Sequence, residues 1–410
     1  MRVVFIVLDC ARYDHFGCNG NDEIYTPTID SIAGKGCVFH NHFSAAPWTC
    51  PSVGSMLSGV YSHRIDMFKN RQSFPDNVKS IFRYYKDNDK PAASFVKAIN
   101  FFGEDNEANE VGYSWNVPDI LDWLQENDDE DYFLYLHYWN THPPYFTRYS
   151  KEAWYDGMSK IIELVKTGKE KNVQKAKDLY KSSIERASEE FIYAIVEKLD
   201  KLNTLADTLL VITADHGESW GQRLEKKQDL DLFGMHGTFL YDEVIHVPLI
   251  LSGPDIATGC QVRALTRSVD LFPTIMELNN WDVDKSNQYI DIDGRSLMSV
   301  ISGKEKDGRI CFCSTAYLDS MQEDVITEII QKFACRDKNW KIIYDKENEA
   351  YELYDLSNDP FEKQNLAGDQ EDVLRKYKKI LAEHVGDMPQ TLSDNETKIL
   401  ADKLKDLGYM

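Results

Sequence analysis

Paired cysteines, long apolar runs, repeats and an excess of positive charge are all missing from this 410-residue chain. Its 8 cysteines form no CxxC pair and no finger spacing, so reduced, mostly buried thiols are expected. No apolar run approaches the roughly 20 residues of a membrane-spanning helix, and no repeat or low-complexity segment stands out. Lys and Arg number 46 against 68 Asp and Glu, a formal charge of −22. Nucleic acid, gripped through clustered cations, is therefore excluded as a partner. The amino terminus also lacks a signal-peptide pattern. Arg2 is its one n-region charge, and the apolar run 3–8 is too short for an h-region and meets Asp9 at once. A cytoplasmic chain is expected.

What is present is apolar substance: 42% hydrophobic residues, rich in aromatics, enough for a sizeable core. The continuous apolar runs at 3–8, 132–137, 208–213 and 247–251 read as strands covered on both faces. Helical periods separate them. The clearest covers 179–202, where Tyr180, Ile184, Phe191, Ile195, Leu199 and Leu202 share a face. This alternation predicts an α/β fold with a large, mostly parallel sheet between helices. Composition shifts near GKEKDG (303–308). Shorter strand candidates follow at 310–317, 332–336, 339–345 and 350–356, the last two joined by a hairpin loop at 346–349. A helix at 369–384 and a polar tail come after. The expected division is a catalytic domain, 1–305, and a small antiparallel subdomain with a closing helix, 306–410.

The chemistry gathers where strands end, the edge at which open α/β sheets bind ligands. Asp9 follows the first strand, Asp215 and His216 follow the strand 208–213, and His142 lies just past 132–137. Singly, each has a plain structural explanation such as a helix cap; four at one edge point to a metal or proton-transfer site. In PWTCPSVGSMLSG (47–59), Pro51 suits the first turn of a helix and Gly59 its end. Thr49 then stands at a helix amino terminus, where free N–H groups favour anions, or it serves only as a cap.

At these residues the chain resembles the sulfatase family of the alkaline phosphatase superfamily. YTPTIDSIAGKGCVFHNHFS (25–44) is similar to the family's TPN-ID-LA-G-F stretch, and VITADHGES (211–219) to its metal-binding DHG motif. HGTFLYDEVIHVPLI (236–250), SVDLFPTI (268–275), DGRSL (293–297) and ELYDLSNDPFEKQNLA (352–367) follow in family order. The resemblance sets the register of the nucleophile. The family's pattern is C/S-x-P-S-R; counting back from Gly59, Pro51 and Ser52 match it and the nucleophile falls on Thr49. Val53 replaces the Arg. Cys50, adjacent to Pro51, cannot open a C-x-P-x-R motif, so the formylglycine of true sulfatases is not expected. A threonine here resembles the phosphoryl-transferring relatives.

The resemblance implies a divalent metal held by Asp9, Thr49, Asp215 and His216. This mixed oxygen and nitrogen set suits Mn²⁺ or Zn²⁺ better than Ca²⁺, with Mg²⁺ also compatible. It implies catalytic or substrate-binding roles for His142, in NTHPPY (140–145), and for His236, with help in holding a second metal the alternative for His236. Lys97 matches a substrate-binding lysine only loosely. Cys10 stands where relatives often carry a second Asp; it reads as a buried inert thiol, with thiolate ligation the alternative. His15, His40, His42, His63, His137 and His246 read as structural, and Trp48, Trp139 and Tyr145 as pocket or core. The implied function is hydrolysis or transfer of phosphoric esters through a phosphothreonine. Two alternatives stay open: a sulfatase in the strict sense, and a non-catalytic relative binding an anionic ligand. The partner is a small anionic ester or a phosphorylated or sulfated glycan.

Overall fold

The computed structural model describes residues 1–65, 78–96, 110–112, 116–145, 151–220, 236–283, 291–319 and 328–385. The strands are β1 (Arg2–Leu8), β2 (Cys37–Phe39), β3 (His42–Phe43), β4 (Ala92–Phe95), β5 (Glu110–Gly112), β6 (Phe133–Tyr138), β7 (Thr208–Thr213), β8 (Leu249–Ser252), β9 (Cys260–Val262), β10 (Thr266–Arg267), β11 (Cys311–Asp319), β12 (Glu328–Arg336), β13 (Trp340–Asp345) and β14 (Ala350–Asp355). The main sheet runs β5-β4-β6-β1-β7-β8-β2-β9. It is parallel apart from β8, which is antiparallel to both β7 and β2. The largely parallel sheet expected from the sequence is thus present, with one reversed strand that periodicity does not reveal.

β1 explains why the sheet is two-sided. Its residues Val3 to Leu8 are all 0% exposed, although successive side chains point to opposite faces. Val3, Phe5 and Val7 meet α2 (Thr49–Ser58), α3 (Ile81–Asp87) and the helix Leu271–Leu278 through Val53, Met56, Phe82, Tyr85 and Phe272. Val4, Ile6 and Leu8 meet α1 (Pro27–Lys35) and a long helical rod through Ile29, Tyr180, Ile184, Phe191 and Ile195. Burial of each large side chain contributes about 1.5–3 kcal/mol. The rod is longer than the predicted helix. It runs Glu170–Arg186, then a π segment Ala187–Ile192, then Tyr193–Lys201.

The registers set the functional edge. Val7 pairs with His137 of β6 and with Thr213 of β7, so the carboxyl ends of the three central strands lie level. The carboxyl-terminal strands form a separate antiparallel sheet, β11-β12-β13-β14. Its outer face is closed by the helix Glu371–Val385, where Tyr377 and Leu381 cover Phe333, Ile342 and Leu353. Asp345 pairs with Ala350 across the predicted hairpin loop. The predicted polar tail lies outside the described residues. Among the described residues, no helix is long and apolar enough to cross a membrane.

Candidate nucleophile and metal centre

Thr49 opens α2 as its first helical residue, with Trp48 as the N-cap. Pro51 lies in the first turn, as expected, and Thr49 stands one place inside the helix and not just before it. Proline fits anywhere in a first turn, because the N–H it lacks has no intrahelical partner there. Gly59 ends the helix with φ 73°, and a Cβ there would stand 2.9 Å from the Phe272 ring. The helix is tied to the end of β7 through a side chain: Ser52 Oγ–H donates to the Asp215 carbonyl at 2.6 Å, and Ser44 Oγ–H donates to the same oxygen at 2.5 Å. The Thr49 hydroxyl thereby reaches the Asp215 side chain and lies 3.5 Å from His216 Nε2.

At the end of β1 the chain turns through Cys10 with φ 60°, a left-handed conformation that non-glycine residues seldom adopt. The turn is held by Tyr180, whose hydroxyl donates to the Cys10 carbonyl at 2.9 Å and accepts the Arg12 N–H at 2.8 Å. It also aims the Cys10 N–H at Asp215 Oδ1, 3.2 Å away. The same oxygen accepts the His216 N–H at 2.9 Å. Asp215 Oδ2 is left buried without a hydrogen-bond partner, facing His216 Nε2 at 3.5 Å and His137 Nε2 at 3.7 Å. Asp9 lies opposite, with Oδ2 3.3 Å from His137 Nε2 and Oδ1 3.8 Å from His216 Nε2.

The ring nitrogens carry a common signature. His216 Nδ1 meets the Gly217 carbonyl at 2.9 Å, and His142 Nδ1 meets the Pro143 carbonyl at 2.6 Å. His236 Nδ1 meets Glu218 Oε1 at 3.1 Å. Carbonyls and carboxylates only accept, so each Nδ1 donates and the neutral ring carries its lone pair on Nε2. Metal-binding histidines are held in this way. Two buried carboxylates, one with an orphaned oxygen, and an imidazole lone pair beside a hydroxyl form a donor set that fits a divalent cation. Asp9, Thr49, Asp215 and His216 would hold it.

The charges reinforce one another. Burial favours protonation of Asp9, but His142, His137 and His216 reverse that and hold its carboxyl well below the usual range. Asp215 moves the other way: burial and the neighbouring Asp9 charge raise its pKa, with His216, His137 and Thr49 opposing. His137 and His236 are pushed up despite burial, the former by Asp9 and Asp215, the latter mainly by Glu218. Burial, followed by the charges of Asp9, Glu218 and Asp215, raises the Cys10 thiol well above its ordinary value.

Of the residues singled out in the sequence, Asp9, Thr49, Asp215 and His216 converge. His142 and His236 stand beside them with rings 5.1 Å apart, and His236 lies 4.6 Å from the His216 ring. Lys97 lies outside the described residues. His137, read as structural, belongs to the centre: its ring stands between both carboxylates. Its place in an apolar run hid it, yet its position at the end of the strand beside β1 was the available signal. Glu218, three residues past Asp215, was missed because only its contact with His236 gives it meaning. Trp139 stacks near His137 and His142, with ring centroids 5.4 and 5.6 Å away. Cys50 is buried in the apolar cluster behind β1. Gly237 is fastened on two sides, its N–H to the Pro47 carbonyl at 2.9 Å and its carbonyl to the Thr315 hydroxyl of β11 at 2.6 Å.

The chain is similar to known proteins along most of its length. The sulfatase family profile matches residues 2–280, and a profile for the C-terminal part of N-sulphoglucosamine sulphohydrolase matches residues 233–387. The ulvan-active sulfatase of Formosa agariphila is 25% identical over 94% of this chain and 79% of its own length. The Delta 4,5-hexuronate-2-O-sulfatase of Bacteroides thetaiotaomicron is 23% identical over 93% of this chain and 86% of its own. The phosphonate monoester hydrolase of Agrobacterium radiobacter has the same fold, with a TM-score of 0.74, 18% identity, and coverage of 95% and 97% of the two chains. The family profile runs through every strand of the main sheet and every residue of the centre, and the chain belongs to the sulfatase family of hydrolases.

Proposed function

We propose that this enzyme cleaves phosphoric esters, with Thr49 as nucleophile. The observation that carries the reading is the Thr49 hydroxyl itself, at the start of α2 and against Asp215 and His216. A threonine in place of an oxidisable cysteine or serine removes the aldehyde route to sulfate esters. It leaves direct nucleophilic attack, for which an activated oxygen is needed. Asp9, Asp215 and His216 would hold a divalent cation, Mn²⁺ or Zn²⁺ from the donor types, which when bound would supply Lewis-acid polarisation and lower the pKa of the Thr49 hydroxyl. Thr49 Oγ, its proton lost to solvent, bonds to phosphorus. The ester P–O bond breaks, and the departing oxygen takes a proton from water. The N–H groups of the first turn of α2 meet the phosphoryl oxygens, and His142 and His236 face the charge that develops. Water then attacks phosphorus, the Thr49–phosphorus bond breaks and Thr49 regains its proton.

Sulfate ester hydrolysis is the second reading, favoured by the similarity to the ulvan-active sulfatase and the hexuronate-2-O-sulfatase. A panel of p-nitrophenyl phosphate, phosphodiester, phosphonate and sulfate esters with Mn²⁺, Zn²⁺, Mg²⁺ or Ca²⁺ separates the two. Turnover of phosphorus esters above sulfate is expected; turnover of sulfate alone refutes the proposal. The expected location in the cytoplasm and the expected glycan or small-ester substrate remain part of this proposal.

A further inference from the structure

The mechanism above makes no use of His137, which is 0% exposed on β6. Its register partner is Val7, two residues before Asp9, so Asp9 and His137 emerge on the face that α2 covers. Tyr135, two residues back on that face, sets the ring: its hydroxyl meets Nδ1 at 2.9 Å. Nε2 is thereby aimed between the carboxylates, 3.3 Å from Asp9 Oδ2 and 3.7 Å from Asp215 Oδ2. An N–H at Nε2 serves Asp9 alone, and Asp215 Oδ2 is buried with no hydrogen-bond partner. A cation serves both carboxylates and the ring at once. The separations fit that arrangement. Donors about 2.0–2.2 Å from one ion stand roughly 3.0–3.6 Å apart in octahedral or tetrahedral geometry. Besides the two at His137, the distances from His216 Nε2 to Asp215 Oδ2 and to Thr49 Oγ are both 3.5 Å. One donor atom each of Asp9, His137 and Asp215 lies within 4.8 Å of the other two.

We propose that His137 Nε2 is a further ligand of the cation held by Asp9, Thr49, Asp215 and His216, and that it sets the choice of metal. Two imidazole nitrogens among the donors favour Zn²⁺ and disfavour Ca²⁺ and Mg²⁺, which prefer oxygens. The ring also adds a donor without adding charge. The two carboxylates balance one dication, whereas a third carboxylate would repel an anionic ester. As the metal–nitrogen bond forms, any proton on Nε2 passes to solvent. The proposal rests on the metal centre described above and not on whether phosphorus or sulfur is attacked.

The test reads the ligands of the metal. The full chain is stripped with chelator, loaded with Zn²⁺ and followed by elemental analysis and zinc-edge X-ray absorption, which counts imidazoles by the scattering of their outer ring atoms. Two imidazoles are expected in the parent and one in His137→Gln, a variant that keeps a polar group beside Tyr135. Its fold is checked by circular dichroism; if it fails to fold, His137→Asn takes its place. Zn²⁺ affinity, measured by competition with a chromogenic chelator, should fall in the variant on the order of a hundredfold or more, while Ca²⁺ affinity holds or rises. A single imidazole in the parent overturns the proposal, and so do two in the variant. An equal loss of Zn²⁺ and Ca²⁺ affinity overturns the claim on metal choice. Absence of bound zinc overturns the metal centre and the proposal together, whereas the ester panel can fail with both intact.

Discussion

Two groups of buried carboxylates in this molecule are handled in opposite ways. Where the carboxyl-terminal sheet meets the main domain, Asp242 pairs with Lys341 at 2.9 Å and with Arg336, and Glu362 pairs with Lys341 at 2.6 Å. Glu362 also accepts the Asp242 N–H at 2.7 Å. Nearby, Asp270 accepts from Arg267 at 2.7 Å and from Arg309 at 2.9 Å. Each anion there has a cation of the chain's own. At the strand ends, Asp9, Asp215 and Glu218, all 0% exposed, face imidazoles, a thiol and hydroxyls. Taking carboxylates out of water is costly unless charge compensates them. The first group is complete in the protein alone, and serves structure. The second becomes complete only with a charge from outside, and serves chemistry.

The sharpest way to break this comparison is at Thr49. Thr49→Ala should lower turnover on the best ester by on the order of a thousandfold or more with the melting temperature unchanged, while Thr49→Ser should keep part of the activity. Steady-state kinetics alongside thermal melts decide it; near-native turnover in Thr49→Ala means that water attacks directly.

At the junction the expected effect falls on stability. Lys341→Met leaves Asp242 and Glu362 buried against one another and should cost about 3–5 kcal/mol in denaturant unfolding, with metal content unaffected. A cost below about 1 kcal/mol would show that the junction is not the structural counterpart argued for it.

Asp215→Asn should separate metal binding from folding. Its carboxyl pKa is raised by burial and by Asp9, so its ionised form weighs against the fold above the unfolded pKa. In chelator-treated protein the substitution should leave the melting temperature unchanged or higher. With Mn²⁺ or Zn²⁺ present it should be lower than that of the parent, since bound ligand stabilises only the form that holds it. A large loss of stability in the metal-free protein would contradict this.

The smallest effect concerns a histidine outside the centre. Burial depresses His42 on β3 to about 3, against an ordinary 6.5, whereas His137 and His236 at the centre are pushed up. Above about pH 6.5 His42 is neutral in both folded and unfolded chains. Below it the unfolded chain takes a proton that the fold refuses, so stability falls by about 1.4 kcal/mol per pH unit as pH drops toward the folded value. His42→Gln should flatten that slope in urea midpoints measured across pH; an unchanged slope assigns the acid sensitivity elsewhere.

The contrast between the two groups also shows what a sequence discloses. Asp9, Asp215 and His216 were legible because residues that follow buried strands must emerge at one edge of a parallel sheet. Thr49 was legible only through the resemblance to the family's C/S-x-P-S-R pattern, whose register is counted back from Gly59. His137 was not, because a histidine inside FLYLHY looks like core until the Val7–His137 register places it beside Asp9. Glu218 and the Lys341 junction were invisible for a related reason: their meaning lies in partners 18 and 99 residues away, His236 and Asp242, which no local pattern encodes. The reversal of β8 was equally hidden, since a fully buried run has the same composition in either direction.

The double fastening of Gly237 has a consequence for modular engineering. Through Pro47 and Thr315 it couples the residue after His236 to the approach to Thr49 and to β11, while the Ser314 N–H binds the Ala45 carbonyl at 3.1 Å. The carboxyl-terminal sheet is thus a third support under the reaction centre, alongside the main sheet and α2. Chimeras that import this sheet from another relative inherit the alignment of the centre only if the imported strand carries a hydroxyl at the place of Thr315 and a free backbone N–H at that of Ser314.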